Sequence, residues 1–268
     1  MKKTILFAGL ALDALIGSGN VNAQVQATSF TIPVDSVPPP VSSTPAFHSS
    51  LTGIIIPAAM VGYGFLALNN HSLRDLNHTT GAELKEDHPN FRTHIDNYLQ
   101  YSPVAAVYIL NASGVHGKHN FRDRTIILGI SALLTAGSVE GVKHLTHEVR
   151  PDGSDDLSFP SGHTATAFAS AEFLRQEYKD VSPWYGVGGY AAAAATGALR
   201  MYNNKHWLSD VVAGAGFGIL STKAAYWVYP WIRQTLFKDQ HTKMATVLLP
   251  YYDAQWHSAG LSIVLLQK

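Results

Sequence analysis

Lys143, Arg150, Ser161, Gly162, His163, Arg200, His206 and Asp210 fall in one stretch of the chain. Between them they supply three fixed cations, two imidazoles, a carboxylate and a glycine-led helix start, the inventory needed to hold a phosphate and attack it. His206 and Asp210 are four apart, so on a helix they share a face and the carboxylate can accept a proton from one imidazole nitrogen. The other nitrogen is then free to attack, the general arrangement of an activated nucleophile. Arg200 stands six before His206 and would point elsewhere on a continuous helix. The Asn203-Asn204 pair between them reads as a turn, which places Arg200 at the end of the preceding helix with the site in reach across a short loop.

Pro160-Ser161-Gly162-His163 runs into the Ala-rich Thr164–Ala169 segment, whose propensity favours helix. Ser161 then sits near the N-cap, the free N–H groups of the first turn form an anion site, and Gly162 lets the backbone approach a phosphate oxygen. His163 projects from the same turn. Lys143 and Arg150 lie two turns apart, on one face if helical, with Pro151 ending that helix just after Arg150. An Arg fork suits phosphate oxygens and Lys adds a point charge. Each signature has a plain alternative: a surface His/Asp pair, a capped helix with an incidental His, and cations neutralised by Glu148 and Asp152. A metal site built on His144, His147, Glu148, Asp152, Asp155 and Asp156 does not match the His-Glu-x-x-His arrangement.

In this order, Lys-x6-Arg-Pro, Pro-Ser-Gly-His and Arg-x5-His-x3-Asp resemble the three signatures of the type 2 phosphatidic acid phosphatase and vanadium haloperoxidase superfamily. The resemblance covers residues 143–210, about a quarter of the chain. It implies that Lys143, Arg150 and Arg200 hold the phosphate, assisted by Ser161 and the Gly162 N–H. It also implies that His206 is the nucleophile forming a phosphohistidine, Asp210 its orienting partner, and His163 the acid for the departing oxygen. Leu199 stands where the family's third signature usually has Ser. Clustered cations can do for phosphoryl transfer what metal ions do elsewhere, so neither a metal nor a cofactor is expected. The expected activity is a metal-independent phosphatase acting on a lipid phosphate or diphosphate such as phosphatidic acid, phosphatidylglycerophosphate, a polyprenyl diphosphate or lipid A. A soluble secreted acid phosphatase and a vanadate-dependent haloperoxidase are the alternatives.

The elements that must position these groups are apolar. The chain is 46% hydrophobic and 14% charged, with zero formal net charge, so nothing argues for a nucleic-acid partner; it has no cysteine to report on redox compartment. Residues 1–23 resemble a secretory signal peptide, and 24–50 read as a Pro/Ser-rich extended linker. The helical domain is expected over 51–235, with its strongest apolar segments at Leu51–Leu68 and Thr125–Val142. Four more lie at Ser102–Val115, His163–Leu174, Trp184–Leu199 and Leu208–Tyr229, while 70–98 suggests one or two amphipathic helices. Residues 236–268 form a strand-like extension without an assigned role. The fold class is therefore all-α, a six-helix bundle embedded in a membrane with a short strand-like C-terminal tail. Basic residues gather at Lys118-Arg122-Arg124, at Arg175 and Lys179, and at Arg233, Lys238 and Lys243; facing the cytoplasm, they put all three signatures on the periplasmic or outer face. A cleaved signal followed by three full spans gives the opposite face, so Leu51–Leu68 does not cross, the signal is not one, or the bundle is soluble; the embedded bundle with an outward site is the reading adopted.

Overall fold

A computed structural model describes residues 10–11, 52–236, 244–253 and 258–267. The expected linker, and the expected signal peptide apart from Leu10–Ala11, lie outside the described residues. The chain divides into a helical unit, Phe47–Leu236, and a second unit that holds the strands. In the second unit β1 (Leu10–Ala11), β2 (Met244–Asp253) and β3 (Ser258–Gln267) make an antiparallel sheet in the order β1-β3-β2, with Met244 opposite Gln267.

The helical unit comprises α1 (Thr52–Asn69), α2 (His71–Asp87), α3 (Ile95–Leu99), α4 (Ser102–Ala112), α5 (Phe121–Thr146), α6 (Gly162–Tyr178), α7 (Pro183–Tyr202) and α8 (Leu208–Leu236). Local capping chemistry sets many of these boundaries. Asn120 and Ser161 accept N–H bonds at the starts of α5 and α6, and Ser182 with Pro183 starts α7. The six apolar segments become α1, α4, α5, α6, α7 and α8, and the polar 70–98 region yields α2 and α3.

Helices α8 and α6 form the centre. Helix α8 packs on α1, α5 and α6, and α6 also packs on α7, α4 and α5. Their own contact is nearly backbone to backbone: a Cβ at Gly214 would lie 2.6 Å from the Ser161 carbonyl oxygen, and one at Gly218 would overlap the carbonyl of Ala165. Any side chain at either position would push the start of α8 away from the start of α6, which is where the signatures sit. Small residues at this spacing are the device by which helices approach closely without a large apolar core.

The interior sets many polar groups beside an apolar core around Val107, Ile127, Phe173 and Tyr178, and the outside carries many large apolar side chains. Ser131 Oγ meets Thr222 Oγ1 at 2.7 Å, and Glu172, Glu177 and Arg124 are buried, while Leu133, Trp184 and Trp231 face outward at 76%, 75% and 69% exposure. An apolar exterior of this kind asks for a lipid solvent. Helix α5 and the Leu208–Thr235 part of α8 are long and apolar enough to cross a membrane. Leu51–Leu68, one of the two strongest apolar segments, becomes α1, which breaks at Asn70; α1 and α2 together are long and apolar enough to make a broken span or a re-entrant loop, bent by 95°. The cause is local, because the Asn70 side chain accepts the Leu73 N–H at 3.2 Å and starts a new helix.

Candidate active site

Four helix ends meet at one end of the bundle. The chain runs down α5 and returns through the 147–161 loop into α6; the 179–182 turn then reverses it into α7, and the 203–207 loop into α8. The C-terminal turns of α5 and α7 therefore lie beside the N-terminal turns of α6 and α8. Lys143, Ser161, His163, Arg200, His206 and Asp210 are all brought to this end.

Arg150 arrives by a different route from the one expected. Helix α5 stops at Thr146, four residues before Arg150, because His147 takes a left-handed cap conformation (φ 47°) and its N–H closes on the Lys143 carbonyl at 3.1 Å. Lys143 and Arg150 therefore share no helical face. The loop is folded over the helix end instead: Lys143 Nζ donates to the Leu157 carbonyl at 2.6 Å and Thr146 Oγ1 to that of Phe159 at 3.2 Å. Within the loop Arg150 Nε pairs with Asp155, whose same oxygen accepts the Leu157 N–H at 2.9 Å. Asp155 was not among the expected neutralising partners. Glu148 faces Arg74 at 3.5 Å instead, and burial raises its pKa. Asp152 takes the Lys205 ammonium; burial works against its ionisation, but Lys205 and Ser154 together hold it at about 2. That pair ties the 203–207 loop to the 147–161 loop.

His206 is likewise not on a helix with Asp210. It lies in the loop, two residues before α8, and Asp210 is in the helix's first turn. Asp210 Oδ2 reaches back to accept the Trp207 N–H at 2.9 Å and also accepts the Ser158 hydroxyl. His206 Nδ1 lies 3.4 Å from this oxygen and 3.4 Å from Ser158 Oγ. Both residues are buried, His206 at 3% and Asp210 at 0% exposure. The start of α8 is clamped from outside the site too, because Asn77 of α2 exchanges two bonds with Ser209 (2.8 and 3.1 Å). The Ser161 N–H donates to the Asp210 carbonyl at 3.0 Å, which fixes the two helix starts to one another.

Arg200, in the last turn of α7, pairs through Nη1 with Asp96 of α3 at 2.8 Å; its Nε is buried without a partner, as are Oδ1 of Asp96 and Oδ1 of Asp210. His163 Nε2 meets Asn97 Oδ1 at 2.8 Å. Burial first, and then the positive charges of Arg200, Arg150 and Lys143, hold His206 well below the ordinary histidine range. Burial and Arg200 take His163 down to about 4, with Asp96 acting in the opposite direction. Both imidazoles are therefore neutral near pH 7, and an arriving anion, by offsetting the cations, raises the proton affinity of each.

Ser158, Asp96 and Asn97 carry no signal that spacing could have revealed. Ser158 is close in sequence to the Pro-Ser-Gly-His run, but its partner Asp210 is 52 positions away. His144, His147 and Glu148 make no common site, since His147 Nδ1 faces Asp156 at 3.0 Å; among the described residues no group of three His, Cys, Asp or Glu side chains is placed to hold a metal ion.

Cations, a capped helix start and two imidazoles are thus gathered at one end of a helical bundle. Residues 124–234, which contain all three signatures, match the PAP2 superfamily. Lipid A 1-phosphatase of Porphyromonas gingivalis is 41% identical over 151 residues, 56% of this chain and 33% of that protein. The bacitracin transport permease protein BcrC of Bacillus licheniformis is 34% identical over 88 residues, 33% of this chain and 38% of that one. The matches thus span little more than a third of either relative. Among solved structures, Aquifex aeolicus LpxE aligns with a TM-score of 0.42 and 19% identity, covering 54% of this chain and 93% of that one. A transmembrane PAP2-type phosphatidylglycerolphosphate phosphatase from Bacillus subtilis aligns with a TM-score of 0.47 and 16% identity, covering 66% and 97%.

Proposed function

We propose that this chain is a metal-independent lipid phosphate phosphatase working through a phosphohistidine. The observation that carries this reading is the buried His206, with Asp210 and Ser158 behind one ring nitrogen and Lys143, Arg150 and Arg200 near enough for their charges to bear on it. The cations and the first turn of α6 hold the phosphate oxygens. The neutral His206 attacks phosphorus with the nitrogen that does not face Asp210. The bond to the lipid oxygen breaks and His163 supplies the proton to that oxygen; water then attacks the phosphohistidine, gives a proton back to His163 and frees phosphate. Positioning and charge do most of the work in such a transfer. The 41% identity to a lipid A 1-phosphatase supports a lipid head-group phosphate, that of lipid A first among them.

We place the site on the outer face of the membrane. The basic residues Lys118, Arg122, Arg124, Arg175, Lys179 and Arg233 and the exposed Trp184, Trp227 and Trp231 belong to the helix ends opposite the site. With Lys143, Arg150 and Arg200 assigned to the phosphate, the six basic residues at that end outnumber the four others at the site end, Arg74, Lys85, Arg92 and Lys205; Lys and Arg beside spans mark the cytoplasmic side, and aromatic rings settle at the membrane interface. The testing experiment measures phosphate release by purified protein in detergent from lipid A, phosphatidic acid, phosphatidylglycerophosphate, a polyprenyl diphosphate and para-nitrophenyl phosphate. Lipid substrates should be much the faster, orthovanadate should inhibit, and EDTA should not. Equal rates on the soluble ester by protein that needs no detergent would indicate a soluble acid phosphatase, and bromide oxidation with added vanadate a haloperoxidase.

Ser158→Ala isolates the side-chain contact on Asp210 that comes from outside the three signatures. Losing a hydrogen bond to a buried carboxylate is worth about 1.5 kcal/mol, so kcat should fall roughly tenfold with KM nearly unchanged. An unaltered kcat would show that Asp210 needs no help from the loop.

A further inference from the structure

Helix α3 carries two side chains that close on two different members of the site. Asp96 takes one edge of Arg200 at 2.8 Å, and Asn97 Oδ1 lies 2.8 Å from His163 Nε2. The helix is itself anchored. Just before it, the Thr93 N–H donates to Asn203 Oδ1 and Asn203 Nδ2 donates to the Thr93 carbonyl, both at 3.0 Å; just after it, Gln100 Nε2 donates to the Asn97 carbonyl at 2.9 Å. Asn97 is thereby held at a fixed height against His163, and its amide oxygen can only accept. Nε2 of His163 must therefore carry a hydrogen whenever this contact stands.

We propose that Asn97 is a positioning residue that holds His163 as its Nε2–H tautomer, leaving Nδ1 as the nitrogen that moves the proton. This rests on the phosphatase reading. When an anionic head group enters, Nδ1 takes up a proton and the ring becomes an imidazolium. As the bond from His206 to phosphorus forms and the bond from phosphorus to the lipid oxygen breaks, the Nδ1 proton passes to that oxygen and the electron pair of the N–H bond stays on Nδ1. In the second step water attacks phosphorus, Nδ1 takes one of its protons, and the pair from the broken nitrogen–phosphorus bond returns to His206. The Nε2–H stays on Asn97 throughout.

The groups facing His163 suit this cycle. Arg200 of α7, Arg150 of the 147–161 loop and Lys143 of α5 oppose a charge on the ring, and Asp96 of α3 favours one. Burial first, and then three cations against one carboxylate, keep the imidazole neutral before substrate binds, so the proton arrives with the substrate. With both tautomers open, a fraction of the neutral rings would carry Nδ1–H and have their basic lone pair on Nε2, away from the nitrogen that must take up the proton; the amide of Asn97 removes that fraction.

Nitrogen-15 NMR of full-length protein labelled at its 13 histidines, in detergent micelles, tests this directly, with His163→Gln identifying the signal. The wild type should show His163 as a single Nε2–H tautomer at neutral pH, and added orthovanadate should protonate Nδ1. Asn97→Ala should give two exchanging tautomers and a kcat lower by roughly tenfold, a modest part of what acid–base catalysis contributes, with KM within about twofold. Asn97→Asp should keep the Nε2–H tautomer, recover much of kcat and shift the pH profile upward, since a carboxylate stabilises the imidazolium. An Nδ1–H tautomer in the wild type, or an Asn97→Ala protein with unchanged tautomer and kcat, would overturn the assignment. Wild-type protein that shows the Nε2–H tautomer but releases no phosphate from any substrate would overturn the phosphatase reading alone.

Discussion

His206→Ala should lose phosphate release by a factor on the order of 10⁴ or more, the scale seen when the nucleophile of a cooperating set is removed. The protein should still fold, because the interactions around His206 outlast its removal. Asp210 keeps the Trp207 N–H at 2.9 Å and the Ser158 hydroxyl, and Asn77 still clamps Ser209 at 2.8 and 3.1 Å. Binding of orthovanadate should weaken but survive, since Lys143, Arg150 and Arg200 remain. The companion measurement is acid-labile, base-stable labelling by phosphorus-32 substrate, present in the wild type and absent in the variant. Near-normal turnover by His206→Ala with His163 intact would remove the nucleophile assignment. Asp210→Asn should cost less than the loss of His206, because it misorients the ring without deleting it.

The second large effect is on stability, far from the chemistry. Glu172 is fully buried in the middle of α6 and gathers donors from three helices. Arg175 binds it twice at 2.7 Å, Gln176 donates at 2.9 Å, the Tyr190 hydroxyl donates from α7, and the Lys223 ammonium of α8 stands 3.0 Å away. Glu172→Gln removes the only carboxylate of this group and leaves two cations facing a neutral amide. Breaking a buried pair from one side costs about 3–5 kcal/mol, so the thermal midpoint in detergent should drop by roughly 10 °C. The folded fraction should keep its kcat, because Glu172 lies nine residues along α6 from His163, a distance of about 13 Å. A midpoint unchanged within error would mean that the cluster is solvated rather than structural.

Much of this protein was legible before any coordinates, and the reasons are local. Ser161 and the alanines after it specify a helix start by capping and propensity, so the first turn of α6 could be placed from four letters. The Asn203-Asn204 turn put Arg200 at the end of its helix, and Arg200 does lie in the last turn of α7. Apolar runs located six helices because burial against lipid or neighbours demands them. Where local reading went astray, tertiary contacts had intervened. Pro151 does not end α5: the helix stops at Thr146, where His147 takes a left-handed cap conformation and the folded-back loop offers the Leu157 and Phe159 carbonyls to Lys143 and Thr146. His206 and Asp210 do meet, but through a loop and a helix start rather than along a helical face. The partners that complete the site are set by packing alone: Asp96 and Arg200 are 104 positions apart, Asn97 and His163 are 66 apart, and Ser158 and Asp210 are 52 apart. Residue types state which chemistry is possible because charge, proton affinity and caps belong to single residues or single turns. Which oxygen meets which nitrogen is decided only when glycines such as Gly214 and Gly218 let α8 and α6 close to backbone contact and bring distant segments to one end of the bundle.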